Sequence, residues 1–160
     1  MADLLVNLYQ LREWDESRLE QDGIVIKRAL IPDKGKVMEF VRTYYEGGWV
    51  YECEYALMNN PTSCYIAIKD KEIIGFSCYD ATSKGYFGPI GVKPGLKSKG
   101  IGMALFNHAL QGMKEAGYGY GIIGWVEDDI IPFYQSCQDI YIIPNSAEED
   151  TLYSRLTTMS

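Results

Sequence analysis

The strongest constraint on the fold is a series of three short apolar segments. Cys64-Tyr65-Ile66-Ala67-Ile68, Ile73 to Tyr79 and Tyr86 to Val92 are separated by the polar stretches Lys69-Asp70-Lys71-Glu72 and Thr82-Ser83-Lys84-Gly85. Short runs rich in aromatic and β-branched residues, closed by turn residues, are strands, and connections this brief join antiparallel neighbours. The series therefore predicts a meander. Before it, Gly23 to Leu30 is β-branched and closed by Pro32, which reads as a further strand. From Asp33 to about Glu46, steps of 100° gather Val37, Met38, Phe40, Val41, Tyr44 and Tyr45 on one side and Lys36, Glu39, Arg42 and Thr43 on the other, an amphipathic helix. Trp49 to Met58 reads as a second helix, stopped by Asn59-Asn60-Pro61. After the meander come a helix from about Gly100 to Ala116 ended by Gly117, a strand from Tyr118 to Val126, a short helix from Asp129 to Cys137 and a last strand, Ile140 to Ile143. This order predicts a mixed α/β (α+β) fold with one mostly antiparallel central sheet and flanking helices. A length of 160 residues suits a single domain, 1–160.

Composition narrows the function classes. With 47% hydrophobic and 23% charged residues the chain has the makeup of an ordered globular protein. A formal net charge of −7 repels phosphate backbones and anionic lipid, so neither nucleic acid nor a membrane is an expected partner. No apolar run approaches the ~18–20 residues of a membrane span, and Met1 to Val6 carries Asp3 in place of a basic leader region, so a cytoplasmic location is expected. Cys53, Cys64, Cys78 and Cys137 lack C-x-x-C spacing and read as buried, reduced packing residues. The single histidine, His108, falls on the polar side of its helix with Asn107, Gln111, Lys114 and Glu115 and reads as a surface residue. No metal site and no Cys–His nucleophile pair is expected. The acidic patch Glu148-Glu149-Asp150 reads as a solvated turn.

The chemically informative stretch runs from Gly91 through Lys93, Gly95, Lys97, Ser98, Lys99, Gly100, Ile101 and Gly102 to Met103. A strand ends, a loop with three lysines follows, Gly95, Gly100 and Gly102 punctuate the loop and the helix head, and a helix starts near Gly100. Free backbone N–H groups and a partial positive charge at a helix start bind anions, and glycines let the anion come close. A phosphate cradle is expected there. Spacing excludes a Walker A loop, because Gly100 is followed by Ile101 and Gly102 where Lys-[Ser/Thr] is required. The letters Gly119-x-Gly121-x-x-Gly124 match a dinucleotide fingerprint, yet they follow a helix and lie within a strand pattern, so close packing on the backbone is the expected reason for them.

Tyr86-Phe87-Gly88-Pro89-Ile90-Gly91-Val92, then Lys97-x-x-Gly100-x-Gly102 at a helix head, then Pro132-Phe133-Tyr134 in a short helix after a strand, resembles the GNAT superfamily of acyl-CoA-dependent N-acetyltransferases. The resemblance covers the chain from about Ile24 to Ile143 and implies a sheet splayed at a cofactor cleft. It implies that Lys97, Ser98, Lys99, Gly100, Ile101, Gly102 and Met103 hold the pyrophosphate of acetyl-CoA, with Lys97 where the family has Arg or Gln. It further implies that the main chain of Ile90, Gly91 and Val92 pairs with the pantetheine amides as an added strand would.

For such a reaction a neutral amine attacks the thioester carbonyl, an N–H donor holds the oxyanion and the departing thiolate takes a proton. Tyr134 falls where the family places its general acid, and the Val92 N–H is the matching oxyanion donor. Glu127, after the strand ending at Val126, is a candidate base and equally a helix-capping acid. Glu52 and Glu54 are further carboxylates for a cationic amine, or a wet helix face. The expected activity is acetyl transfer from acetyl-CoA to a primary amine of a small molecule or peptide. The alternative is a non-catalytic acyl-CoA-binding sensor or interaction module. A homodimer is left open.

Overall fold

The computed structural model describes residues 1–96, 100–147 and 151–157; Lys97, Ser98, Lys99 and the acidic patch 148–150 lie outside them. Strands are β1 (Ala2–Asn7), β2 (Ile24–Arg28), β3 (Cys64–Lys69), β4 (Glu72–Tyr79), β5 (Tyr86–Val92), β6 (Tyr120–Val126) and β7 (Ile140–Ile142). Helices are α1 (Ser17–Gln21), α2 (Lys34–Tyr44), α3 (Gly48–Met58), α4 (Ile101–Glu115) and α5 (Ile131–Cys137). The seven strands form one sheet in the order β2-β3-β4-β5-β6-β1-β7. Every neighbouring pair is antiparallel except β5 and β6, which run parallel. The mixed α/β fold and its mostly antiparallel sheet agree with the sequence reading.

Two cores lie on the two faces of the sheet. Alternation along β3 and β4 sends Cys64, Ile66, Phe76 and Cys78 under α2 and α3, where they meet Val37, Val41, Ala56 and Leu57. Tyr65, Ala67 and Tyr79 face the other way, towards α4. On α4, Ile101, Leu105, Ala109, Leu110 and Met113 are all fully buried at helical spacing. Burying one such large aliphatic side chain contributes about 1.5–3 kcal/mol. Ser77, also fully buried, donates its hydroxyl to the Leu105 carbonyl at 2.9 Å. The helix stops at Gly117, whose φ of +102° lets Gly117 N–H reach Lys114 O at 3.0 Å and Tyr118 N–H reach Met113 O at 3.1 Å. This is a Schellman cap, as the glycine predicted.

Sequence periodicity missed β1 and α1. β1 is the more consequential, because it lies between β6 and β7 and buries Leu4 and Val6 in the α4-side core. Six residues containing a carboxylate show no helical or alternating pattern. Asp3 is nonetheless buried, accepting the Trp125 N–H on Oδ1 at 2.7 Å while its own N–H donates to Ser146 Oγ at 2.9 Å. The helix-wheel placement of Asn107 and His108 also needs correction. Asn107 is buried, accepting Gln138 Nε2 at 3.0 Å, and His108 is half-buried against Trp14 with Nε2 2.6 Å from Glu16 Oε1. Residues 12–16 and Gln138 cover the helix face that the wheel assigned to water. The glycines of the displaced fingerprint do mark close packing: a Cβ at Gly121 would stand 3.2 Å from Met113 Cε, and one at Gly119 would collide with Tyr9.

If β1 is integral to the sheet, Leu4→Ala should cost about 2–5 kcal/mol, as a fully buried leucine does. Urea unfolding checks this, and a loss under about 0.5 kcal/mol would make β1 an appendage.

Candidate active site

The parallel pairing of β5 and β6 covers only Tyr86↔Ile122 and Phe87↔Ile123. Just beyond this point both strands are bulged. On β5, Gly88 and Pro89 stand opposite a single β4 residue, since Tyr79 pairs with Phe87 and Ser77 with Ile90. On β6, Gly124 and Trp125 stand opposite a single β1 residue, since Leu4 pairs with Ile123 and Ala2 with Val126. Gly88 has φ +120° and Trp125 φ +49°, the latter rare for a bulky residue. Bulges re-aim strands, and Pro89 has no N–H to give a ladder. The two strands therefore part, and a cleft of about 670 Å³ opens between them.

The β5 side of the cleft is an unpaired edge. Lys93 N–H bonds Ile74 O on β4 at 2.8 Å, so strand alternation turns the polar groups of Gly91 towards β4 and those of Ile90 and Val92 towards the gap. Tyr45, at the end of α2, donates its hydroxyl to the Val92 carbonyl at 2.8 Å. Its ring lies 2.5 Å from where a Cβ on Gly91 would be, so only glycine fits under it. Burial pushes the Tyr45 phenol pKa up.

At one end of the cleft α4 begins. Gly100 caps it with φ +79°, and the first backbone bond of the helix is Ala104 N–H to Gly100 O at 3.1 Å. The amides of Ile101, Gly102 and Met103 precede that bond and have no acceptor within the helix. No side chain among the described residues caps them. A Cβ on Gly100 would meet nothing within 4 Å, and Gly102 lines the cleft beside Phe133. Such a helix start suits a phosphate group. Lys97, Ser98 and Lys99, expected beside it, fall outside the described residues.

Tyr134 of α5 lines the cleft among Phe87, Phe106 and Phe133, and is 6% exposed. Its hydroxyl makes no hydrogen bond to a described residue, and burial pushes its pKa well up, so it stays protonated. Glu127 is exposed at the rim. The two carboxylates left open in α3 separate clearly. Glu54 points away and pairs with Lys34 at 3.6 Å, whereas Glu52 lines the cleft, is half-buried and accepts the Thr82 hydroxyl. Burial raises the Glu52 pKa, and the Thr82 bond offsets part of that rise. Sequence reasoning missed Thr82, Trp125 and Tyr153, which share this end of the cleft.

The cysteines lie elsewhere. The sulfurs of Cys53, Cys64 and Cys78 lie within 4.8 Å of one another in the α2/α3 core, and none of them lines the cleft. A hydrogen bond to Cys53 pushes the Cys64 thiol well up, and burial does the same to Cys78, so both remain neutral thiols packed as small hydrophobes.

The profile of the Acetyltransferase (GNAT) family matches residues 26–138. The chain belongs to the GNAT acetyltransferase family. Among solved structures, a GCN5-related glucosamine N-acetyltransferase region of a fungal multi-domain GH3 β-N-acetylglucosaminidase shares 15% identity over 89% of this chain, with a TM-score of 0.72. A GCN5-related N-acetyltransferase from Sphaerobacter thermophilus shares 18% identity over 96% of the chain, with a TM-score of 0.57. An aminoglycoside acetyltransferase from an uncultured soil metagenomic sample shares 18% over 83%, with a TM-score of 0.56. These are likenesses of fold. The chain spans 19% of the fungal protein, 46% of the Sphaerobacter one and 94% of the metagenomic one. No curated protein sequence matches it. Among the described residues no helix is long and apolar enough to cross a membrane.

The half-buried carboxylate of Glu52 carries a stability signature. Because burial raises the Glu52 pKa, the native state keeps a proton that the unfolded chain releases above about pH 4.3. Stability from this group is complete below that pH and is lost as pH rises through the raised value. Glu52→Gln, which imitates the protonated form, should raise the Tm at pH 8, with the gain shrinking towards pH 4. A pH-independent difference, or a loss, would contradict this.

Proposed function

We propose that this member of the family is an acetyl-CoA-dependent N-acetyltransferase, with residues 1–160 acting as one catalytic domain, that acetylates a primary amine of a small molecule or peptide by direct attack. The observation that carries the reading is the meeting, in a single cleft, of a helix start without a side-chain cap, a strand edge without a neighbouring strand and the hydroxyl of a buried tyrosine without a hydrogen-bond partner, in each case among the described residues.

The residues divide the work by their chemistry. The amides of Gly100, Ile101, Gly102 and Met103, with Lys97, Ser98 and Lys99, receive the diphosphate of acetyl-CoA, the substrate that supplies the activated acetyl group. The open edge at Ile90, Gly91 and Val92 accepts the pantetheine amides as a strand would, with the Ile90 N–H and C=O and the Val92 N–H facing the gap. The Val92 carbonyl is already engaged by Tyr45, which leaves the Val92 N–H for the oxyanion. Tyr134 gives its proton to the departing thiolate and takes one back from solvent as the coenzyme A thiol leaves. Its surroundings disfavour phenolate, and the same dryness raises the basicity of a thiolate beside it. Glu127, exposed at the rim, takes the amine proton directly or through water and releases it to solvent.

Tyr134→Phe keeps the ring packing and removes only the hydroxyl. It should lower kcat about 100-fold or more while leaving coenzyme A affinity unchanged. Thiol release from acetyl-CoA over a panel of amines, with calorimetry of coenzyme A, measures both. Unchanged turnover would remove the acid role from Tyr134, and tight coenzyme binding with no turnover on any amine would favour a binding module.

A further inference from the structure

One end of the cleft has an aromatic wall. Trp125, held at φ +49° by the β6 bulge, stacks on Tyr153 with centroids 5.9 Å apart and planes at 16°. Tyr153 in turn lies on the bare backbone of Gly124, where any Cβ would collide with its ring. On the α3 side, Trp49 packs against Tyr45 with centroids 5.0 Å apart and planes tilted by 31°. Glu52 is one helical turn beyond Trp49, on the same face of α3, and receives the Thr82 hydroxyl. An aromatic stack and a tilted aromatic pair thus share one cleft with one inward carboxylate.

The charge arithmetic of this end is restrictive. Among the described residues lining the cleft, the only acid besides Glu52 is Glu127, exposed at the rim. One ammonium can be matched inside. A second or third would be stripped of water beside tryptophan and tyrosine rings, with no further inward carboxylate among the described lining residues to meet it. The flat walls instead favour an apolar plane attached to the single cation, which the rings also attract through their faces.

We infer that the acceptor is a primary monoamine carrying an aromatic ring, its ammonium held by Glu52 and its ring lodged between the Trp125–Tyr153 stack and the Trp49–Tyr45 pair. Naming this substrate class rests on the acetyl-transfer reading above. Glu52 recognises the charged amine on arrival, and the aromatic walls keep polyamines and aminosugars out.

Two of the three tryptophans, Trp49 and Trp125, line the cleft, so intrinsic fluorescence reports occupancy without any turnover. The full chain is titrated with 2-phenylethylamine, with the neutral 2-phenylethanol, and with spermidine and an aminoglycoside as competitors. The amine should quench saturably, with a Kd about ten-fold or more below those of spermidine and the aminoglycoside. Glu52→Gln should weaken 2-phenylethylamine by about ten-fold or more and leave 2-phenylethanol unchanged, because only a charge contact is lost. Trp49→Ala, at a half-exposed helix position, should weaken both. Tighter binding of spermidine or the aminoglycoside, or a Kd indifferent to Glu52→Gln, would overturn the inference. Calorimetry with coenzyme A on the same preparation separates the two readings. Binding of 2-phenylethylamine without coenzyme A keeps the pocket assignment and defeats acetyl transfer, and the converse defeats only the substrate class.

Discussion

The molecule depends on a pairing that is cut short. β5 and β6 run parallel for two residue pairs, and then bulges on both strands turn them apart at the same level. A sheet that stayed closed there would satisfy its own backbone and offer nothing to a ligand. Because it opens, the strand edge at Ile90 and Val92 keeps unused polar groups, and side chains from both helical layers look into a common space. The gap is stable because its borders are anchored outside it. β4 holds β5, β1 holds β6, and the buried Asp3 carboxylate fastens the Trp125 N–H at the bulge itself.

Much of this was legible in the chain because the signals were local. The meander, the amphipathic faces of α2 and α4, the Gly117 cap and the glycine-rich approach to α4 are each set by residues within a turn or two of one another. The elements that escaped are defined by distant partners. β1 has no period of its own and becomes a strand only because β6 and β7 lie on either side of it. Asn107 looks like a surface residue until Gln138 docks on it from 31 positions away. The site divides in the same way. Of the residues that line the cleft, Gly102 and Tyr134 lie on motifs visible in the sequence, whereas Tyr153 reaches the cleft from the far end of the chain. Its one sequence trace is Gly124, whose missing side chain makes room for the ring. The Gly88-Pro89 pair was an equally readable sign of a bulge, since a proline following a glycine rarely continues a regular ladder.

The role proposed for Glu52 and the stability of the fold pull against each other. A carboxylate taken partly out of water raises its own pKa and weakens the fold at the pH where it is ionised, while Thr82 supplies a single compensating bond. Glu54, two residues on, has the ordinary arrangement of a surface acid paired with Lys34. A costly group held inside a cleft of aromatic rings is characteristic of a binding site, where an arriving cation restores the balance.

The central claim is that coenzyme A enters through the break in the sheet, with its diphosphate on α4 and its arm along β5. Amide chemical shifts from a ¹⁵N-labelled chain titrated with coenzyme A test it most directly. The account requires the largest changes at Ile90, Val92, Ile101, Gly102 and Met103. Changes confined to other surfaces, such as the polar hollow around Arg28, Asn59 and Glu115, would contradict it.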